Sequence, residues 1–215
     1  MRTILAMSCL FAFASATAAP VAYTIDPAHT QVQFSWNHLQ FSNPEAGFDD
    51  VAGTLMWDAD DVTKSSVDVT MQVASVHSHV ALLDEKLKSA EFLDSGHFPK
   101  ARFVSTRVER LDDAGHLRIS GKLTVHGVTQ PADLDAHINR TGIYPMIEVP
   151  GAGFSASTVI KRSQFGVGAG IPYVGDELQV RITAEALEAV GYAKAMKAMA
   201  DAAAAAANKS VAQNP

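Results

Sequence analysis

Cysteine is almost missing from this chain: Cys9 is the only one in 215 residues. It sits in the opening stretch MRTILAMSCLFAFASATAAP, which reads as a removable secretory leader. Arg2 precedes an apolar run from Ile4 to Ala14, and Ala16 and Ala18 are spaced for cleavage. The residues before the cysteine (AMSC) do not form a lipid-anchor box. With residues 1–19 removed as a signal peptide, no thiol and no disulfide remain. Long apolar runs are also lacking. The leader's run is well short of the roughly 20 residues that a spanning helix needs, and no later segment reaches that length. The expectation is an exported protein, periplasmic or secreted, with no stable membrane insertion. A basic surface is lacking too: 17 Lys and Arg against 23 Asp and Glu give a net charge of −6. That balance argues against nucleic acid and anionic membrane as partners.

Catalytic signatures are equally scarce. There is no G-x-S-x-G elbow and no H-E-x-x-H pair. The glycines of GVGAG lack the dinucleotide spacing and precede Ile171-Pro172 instead of a helix, so they read as a mobile loop at the mouth of a barrel. No enzymatic activity and no cofactor are expected.

What the chain does contain is period-two alternation, the pattern of a sheet dry on one face and wet on the other. In VQFSW, Val32, Phe34 and Trp36 share a face. Val67, Val69, Met71 and Val73 do so in SVDVTMQVAS. Leu117, Ile119, Leu123 and Val125 follow, then Leu134, Ala136 and Ile138, and finally Leu178, Val180 and Ile182. Strands are expected near residues 23–26, 31–40, 51–58, 65–76, 101–110, 115–125, 131–140, 152–161 and 176–187. DPAHT, SNPEAG, DADDVTKSS, LDDAGH and HGVTQP read as turns between them. The fold class is all-β, an antiparallel barrel of about eight strands over residues 20–187. At that size the interior just holds a slender ligand.

Two stretches break the period. In residues 74–103, Ala81, Leu82, Asp84, Glu85, Leu87, Lys88 and Phe92 read as short helical turns stopped by Gly96 and Pro99, forming a lid. The Ala-rich tail at 188–215 reads as helical or disordered, with Gly191 weakening its start. It is either a solvated appendage or a helix that lies on the barrel or pairs subunits into a homodimer. The chemistry of the lid region stays open on residues alone. His77 and His79, two apart on an extended strand, would point the same way as a metal half-site does. A metal- or haem-binding redox protein using His77, His79 or His38 is therefore one reading, and exposed loop histidines are the other. The mixed charges of Asp84, Glu85, Lys86, Lys88 and Glu91 read as a solvated helix face.

YTIDPAHTQVQFSWNHL, VAGTL, VTMQVASV, LKSAEFLDSGHFPKARFVSTRV, ISGKLTVHGVTQPADL and VIKRSQFGV occur in this order between Tyr23 and Leu187. In this combination the chain closely resembles the YceI-like family of exported polyisoprenoid-binding proteins. The resemblance implies a lipocalin-like barrel holding a long apolar chain such as an isoprenoid or a fatty amide. It also marks departures. Leu83 stands where the family commonly has Arg, Lys86 where it has His, and Glu91 where it has Asp. Gln40 stands where Gly is usual, and Gln164 where Asp is usual. Loss of the Arg removes a fork suited to phosphate oxygens.

The expected function is therefore binding, by sequestration or carriage of a long-chain lipid. The expected lumen lining is Val32, Phe34, Trp36, Leu55, Trp57, Val67, Val69, Met71, Val73, Phe103, Leu123, Phe154, Leu178 and Val180. Leu82, Leu83, Leu87 and Phe92 would close it, and His38, Asp84 and Lys86 would meet the polar end of the ligand.

Overall fold

The computed structural model describes residues 19–212, so the leader lies outside the described residues but for its last position. The strands are β1 (Val21–Ile25), β2 (Gln31–His38), β3 (Glu45–Phe48), β4 (Val51–Trp57), β5 (Ser66–Gln72) and β6 (Val76–His77). After helix α1 (Ala81–Lys88) come β7 (Lys100–Arg110), β8 (His116–Val125), β9 (Val128–Tyr144), β10 (Val149–Lys161) and β11 (Val174–Glu188). Helix α2 (Ala189–Ala212) ends the described chain.

All pairings are antiparallel, and the sheet closes because β1 bonds on one side to β4 and on the other to β11. The result is a closed eight-stranded barrel. Two of its staves are interrupted. One consists of β1 and β2, broken at residues 26–30; the other consists of β3 and β4, broken at Asp49 and Asp50. Closure leaves no long sheet edge to template aggregation. The alternation produces this shape directly, because every strand turns one apolar face to a common axis. Val32, Phe34, Trp36, Leu55, Trp57, Met71 and Phe103 are all buried, while Gln31, Gln33 and Arg102 between them are exposed.

Connections alternate between the two ends. The β2–β3 turn, α1, the β8–β9 turn and the β10–β11 loop crowd one end, the mouth; the β4–β5, β7–β8 and β9–β10 connections crowd the other, the base. At the β8–β9 turn, His126 and Gly127 both have positive φ (50° and 72°), the two-residue geometry that suits the twist of a hairpin.

Three sequence expectations need correction. SNPEAG is not wholly a turn: Glu45–Phe48 forms β3, whose two buried residues, Ala46 and Gly47, are small and adjacent and so give no alternation to read. The expected strand 65–76 stops at Gln72 and passes through a 3-10 turn at Val73–Ser75. The helical stretch ends at Lys88, well before Gly96, where Ser89 turns extended and donates its hydroxyl to the Lys86 carbonyl. The tail is helical from Ala189 through Gly191. Glu188 accepts the amides of Val190 and Gly191 at 3.0 and 2.7 Å, capping the first turn. A Cβ at position 191 would come within 2.6 Å of Val149, so glycine is what allows the helix so close to β10.

Candidate functional site

The barrel axis is occupied by two connected chambers. The inner one, about 220 Å³, is walled by the dry faces of the ring strands, and no charged side chain lines it. The outer one, about 260 Å³, lies beneath α1 at the mouth. Phe34, Leu93, Val125, Ile160 and Leu178 line both and form a waist between them. Together the chambers reach the scale of small-molecule sites, roughly 300–1,000 Å³. Aromatic contacts stiffen each: Trp57 meets Phe154 edge-on at 5.5 Å in the inner chamber, and Phe34 stacks on Trp36 at 5.9 Å toward the outer one.

The structure places the expected lining unevenly. Val32, Phe34, Leu55, Trp57, Val67, Val69, Met71, Phe103, Leu123, Phe154, Leu178 and Val180 line the inner chamber. Trp36, His38, Leu83, Lys86, Leu87 and Phe92 line the outer one. Three residues fall elsewhere. Val73, in the 3-10 turn, packs with Val51 and Met71 in the wall without lining either chamber, because the strand period that would have carried it inward ends one residue earlier. Leu82 is 86% exposed, on the outer side of α1; helix geometry turns Leu83 and Leu87 inward and therefore turns Leu82 away. Asp84 accepts the Ser78 amide and hydroxyl, both at 2.6 Å, and so ties the lead-in of α1 instead of facing a ligand. The Ser78 hydroxyl leads in holding the Asp84 carboxyl below its ordinary pKa, overcoming desolvation.

Sequence reasoning missed Arg162. Its side chain is buried at the end of β10, and its guanidinium donates to four carbonyls, of Val167, Ala169, Val174 and Gly175, at 2.8–2.9 Å. The Gly-rich segment is at the mouth, as expected, but it is wrapped around this cation. Desolvation pushes the Arg162 pKa below the ordinary arginine value, against the opposing pull of Asp176. Phe48, Leu93 and Val125 were also missed as lining. Val125 follows the alternation, whereas Leu93, outside any strand or helix, carries no periodic signal.

A protein-family model described as the YceI-like domain matches residues 23–186. The chain belongs to the YceI-like family. Protein YceI of Salmonella newport is 34% identical over 181 residues, 84% of this chain and 93% of that one. The crystal structure of a Campylobacter jejuni YceI protein superposes with TM-score 0.65 at 28% identity, covering 71% of this chain and 89% of that one. A polyisoprenoid binding domain from Saccharophagus degradans shares the fold, with TM-score 0.60 at 14% identity over 78% of this chain and 99% of that one.

The departures from the YceI-like pattern acquire positions. Gln40, where glycine is usual, has φ of 63°, a left-handed conformation that glycine adopts without steric cost. Leu83, where the resemblance implies Arg, lines the outer chamber, so that part of the wall is hydrocarbon. Lys86 lines the same chamber but is paired with Glu91 and lies over the Phe92 ring.

Among the described residues, no group of three metal-ligating side chains gathers around His77. The His77 and His79 rings meet edge to face at 4.9 Å, His77 lies 3.1 Å from an Asp49 carboxylate oxygen, and His38 lines the outer chamber. Among the described residues, the group with metal-like spacing is Asp26, His29 and Glu185, at the seam where β1, β11 and α2 meet. There the His29 Nδ1 is already 2.7 Å from Asp26 Oδ2, a hydrogen-bonded pair, and Tyr192 donates to Asp26 Oδ1 at 3.0 Å. The bond to Asp26 raises the His29 pKa. Desolvation is the largest influence on Asp26, but its bonds to His29, Ala28 and Tyr192 together lower its pKa.

Proposed function

We propose that this protein binds one long apolar chain, of the polyisoprenoid or fatty-amide type, inside its barrel and acts as an exported carrier or sequestering protein without a catalytic step. The observation that carries this reading is the inner chamber, lined mainly by aliphatic and aromatic side chains with a few Ser and Thr hydroxyls and no charged group among them. Burial of hydrocarbon there is favourable by about 0.8 kcal/mol per methylene, so chain length dominates affinity. The polyisoprenoid-binding neighbour of the same fold supports the same ligand class.

The polar end of the ligand lies in the outer chamber, where His38 is the available group; Lys86 is paired with Glu91, and the Arg162 donors are committed to loop carbonyls. With Leu83 in place of an arginine, the wall favours an uncharged head such as an alcohol or an amide over a pyrophosphate.

Native mass spectrometry of protein purified without detergent tests the proposal directly. A retained host lipid is expected, or binding of added isoprenoid alcohols and long-chain amides with affinity that rises with length until the lumen is full. Met71→Lys, which sets a charge against the chamber, should weaken binding by several kcal/mol, whereas Thr70→Lys on the outer face should do little. Failure to bind any such chain, or equal effects of the two substitutions, would refute the reading.

A further inference from the structure

The mouth carries more exposed hydrocarbon than a closed container needs. Leu39 and Phe41 project from the β2–β3 turn, Ile171 and Tyr173 from the β10–β11 loop, and Val80 and Leu82 from the start of α1. Phe41 is 92% exposed, Leu82 86% and Tyr173 73%. These segments are neighbours. The Leu39 amide donates to the Tyr173 carbonyl at 2.9 Å, and β3, which returns from the first turn, pairs with β6, which leads to Val80. Each segment also continues into the outer chamber, through His38, Val174 and Leu83. The apolar lining therefore runs out of the lumen and over its lip.

The lip is held in place. The Gln40 amide donates to the Asn37 side chain, and the Phe41 and Ser42 amides both donate to the His38 carbonyl. Leu39 and Gln40 both have positive φ, 56° and 63°. Two consecutive non-glycine residues in that region are conformationally costly, and such strain collects at functional positions. Here it turns the chain so that Phe41 stands into solvent.

We propose that this rim docks on the headgroup layer of an electrically neutral bilayer, from which the apolar chain is drawn into the barrel or to which it is returned. The inference rests on the reading of the barrel as a container for such a chain. A chain that needs a dry chamber has no free route through water, so an apolar bridge between store and lumen removes the largest obstacle to loading. Charge selects the surface. The lysines of α1 are matched by acids, Lys86 by Glu91 and Lys88 by Glu85, which leaves no basic patch on that helix to seek anionic lipid, and the molecule as a whole is at −6. Exposed aromatic and aliphatic side chains beside paired charges match the interfacial zone of a zwitterionic membrane.

The test is flotation of the protein lacking residues 1–19 with phosphatidylcholine vesicles, its N-terminus checked by intact mass so that this apolar segment cannot supply the affinity. Phe41→Ser combined with Tyr173→Ser is compared with Ile143→Ser combined with Met146→Ser, a pair of exposed apolar residues at the base. The rim pair should lower partitioning by roughly tenfold or more, because interfacial binding scales with the apolar area buried. The base pair should leave it unchanged. Wild-type flotation that the rim pair does not alter, or equal losses from both pairs, overturns the proposal. So does a vesicle-independent dimer that the rim pair abolishes, since the rim's partner would then be a second copy. Binding of geranylgeraniol in vesicle-free solution is measured in parallel for all variants. Its absence alongside rim-dependent flotation would remove the container reading and leave the docking surface standing.

Discussion

At the mouth a buried cation, Arg162, gathers backbone carbonyls from a loop up to 13 residues away. At the seam a buried anion, Asp26, gathers its partners mainly from the next three residues, the Ala28 amide and the His29 ring, with Tyr192 of α2 reaching across as a third. Both devices satisfy a buried charge, which is their physical requirement. They differ in what they organise. The anion closes a short turn and pins a helix that follows the barrel. The cation gives shape to a glycine-rich loop with little apolar side-chain area of its own. A loop of that composition needs an internal scaffold, and carbonyl oxygens are the one set of acceptors it always has.

Five predictions sharpen the contrast, from the largest effect to the smallest. Arg162→Met should cost about 3–5 kcal/mol in urea unfolding, since it strips four buried or half-buried carbonyls of their donors. Asp26→Asn should cost less, about 1–3 kcal/mol, because the turn keeps an acceptor while losing its charge. A seam variant more damaging than the mouth variant would reverse the comparison. Tyr192→Phe should cost about 1 kcal/mol, one hydrogen bond. Truncation after Glu188 should still leave a β-rich barrel by circular dichroism, since β11 retains its pairing with β1. The smallest effect belongs to His77→Ala combined with His79→Asn, the asparagine chosen because His79 has φ of 62°. Unfolding should shift by less than about 0.5 kcal/mol. Stoichiometric zinc or copper in the wild type, lost in that variant, would revive the metal reading.

The seam also has a pH signature, with a definite sign. The Tyr192 pKa is pushed up from 10.0 to about 12, first by burial and then by its bond to Asp26. Its contribution is thus complete below pH 10 and is lost as pH rises through 12. His29, also raised, contributes fully below its ordinary pKa and loses that contribution as pH climbs through its folded value. Asp26, lowered, contributes above the ordinary carboxylate range and loses its share as pH falls through its folded value. Tyrosinate absorbance should show a late-titrating phase, to which Tyr23 and Tyr144 also contribute, and Tyr192→Phe should reduce its amplitude.

The same contrast explains what could be read from sequence. Asp26, Pro27 and His29 stand together in DPAHT, and a short acid-led turn is local chemistry. Strand faces were legible for the same reason, since alternation fixes side without any knowledge of partners. Legibility fails where a position depends on where a strand stops, as at Val73, or on which way a short helix is rolled, as at Leu82 against Leu83. It fails most completely for Arg162. Its partners are main-chain oxygens of Val167, Ala169, Val174 and Gly175, which no residue type announces.

The chain has two tryptophans, and the barrel assigns one to each chamber, Trp57 to the inner and Trp36 to the outer. This arrangement makes the protein its own optical ruler. In a pair of single-indole variants, a short guest held by its polar end in the outer chamber should perturb only the emission of Trp36, and a guest whose chain passes the waist should perturb that of Trp57 as well. The guest length at which the second signal appears would measure the distance from the polar end to the inner chamber in methylenes, without a label on either molecule.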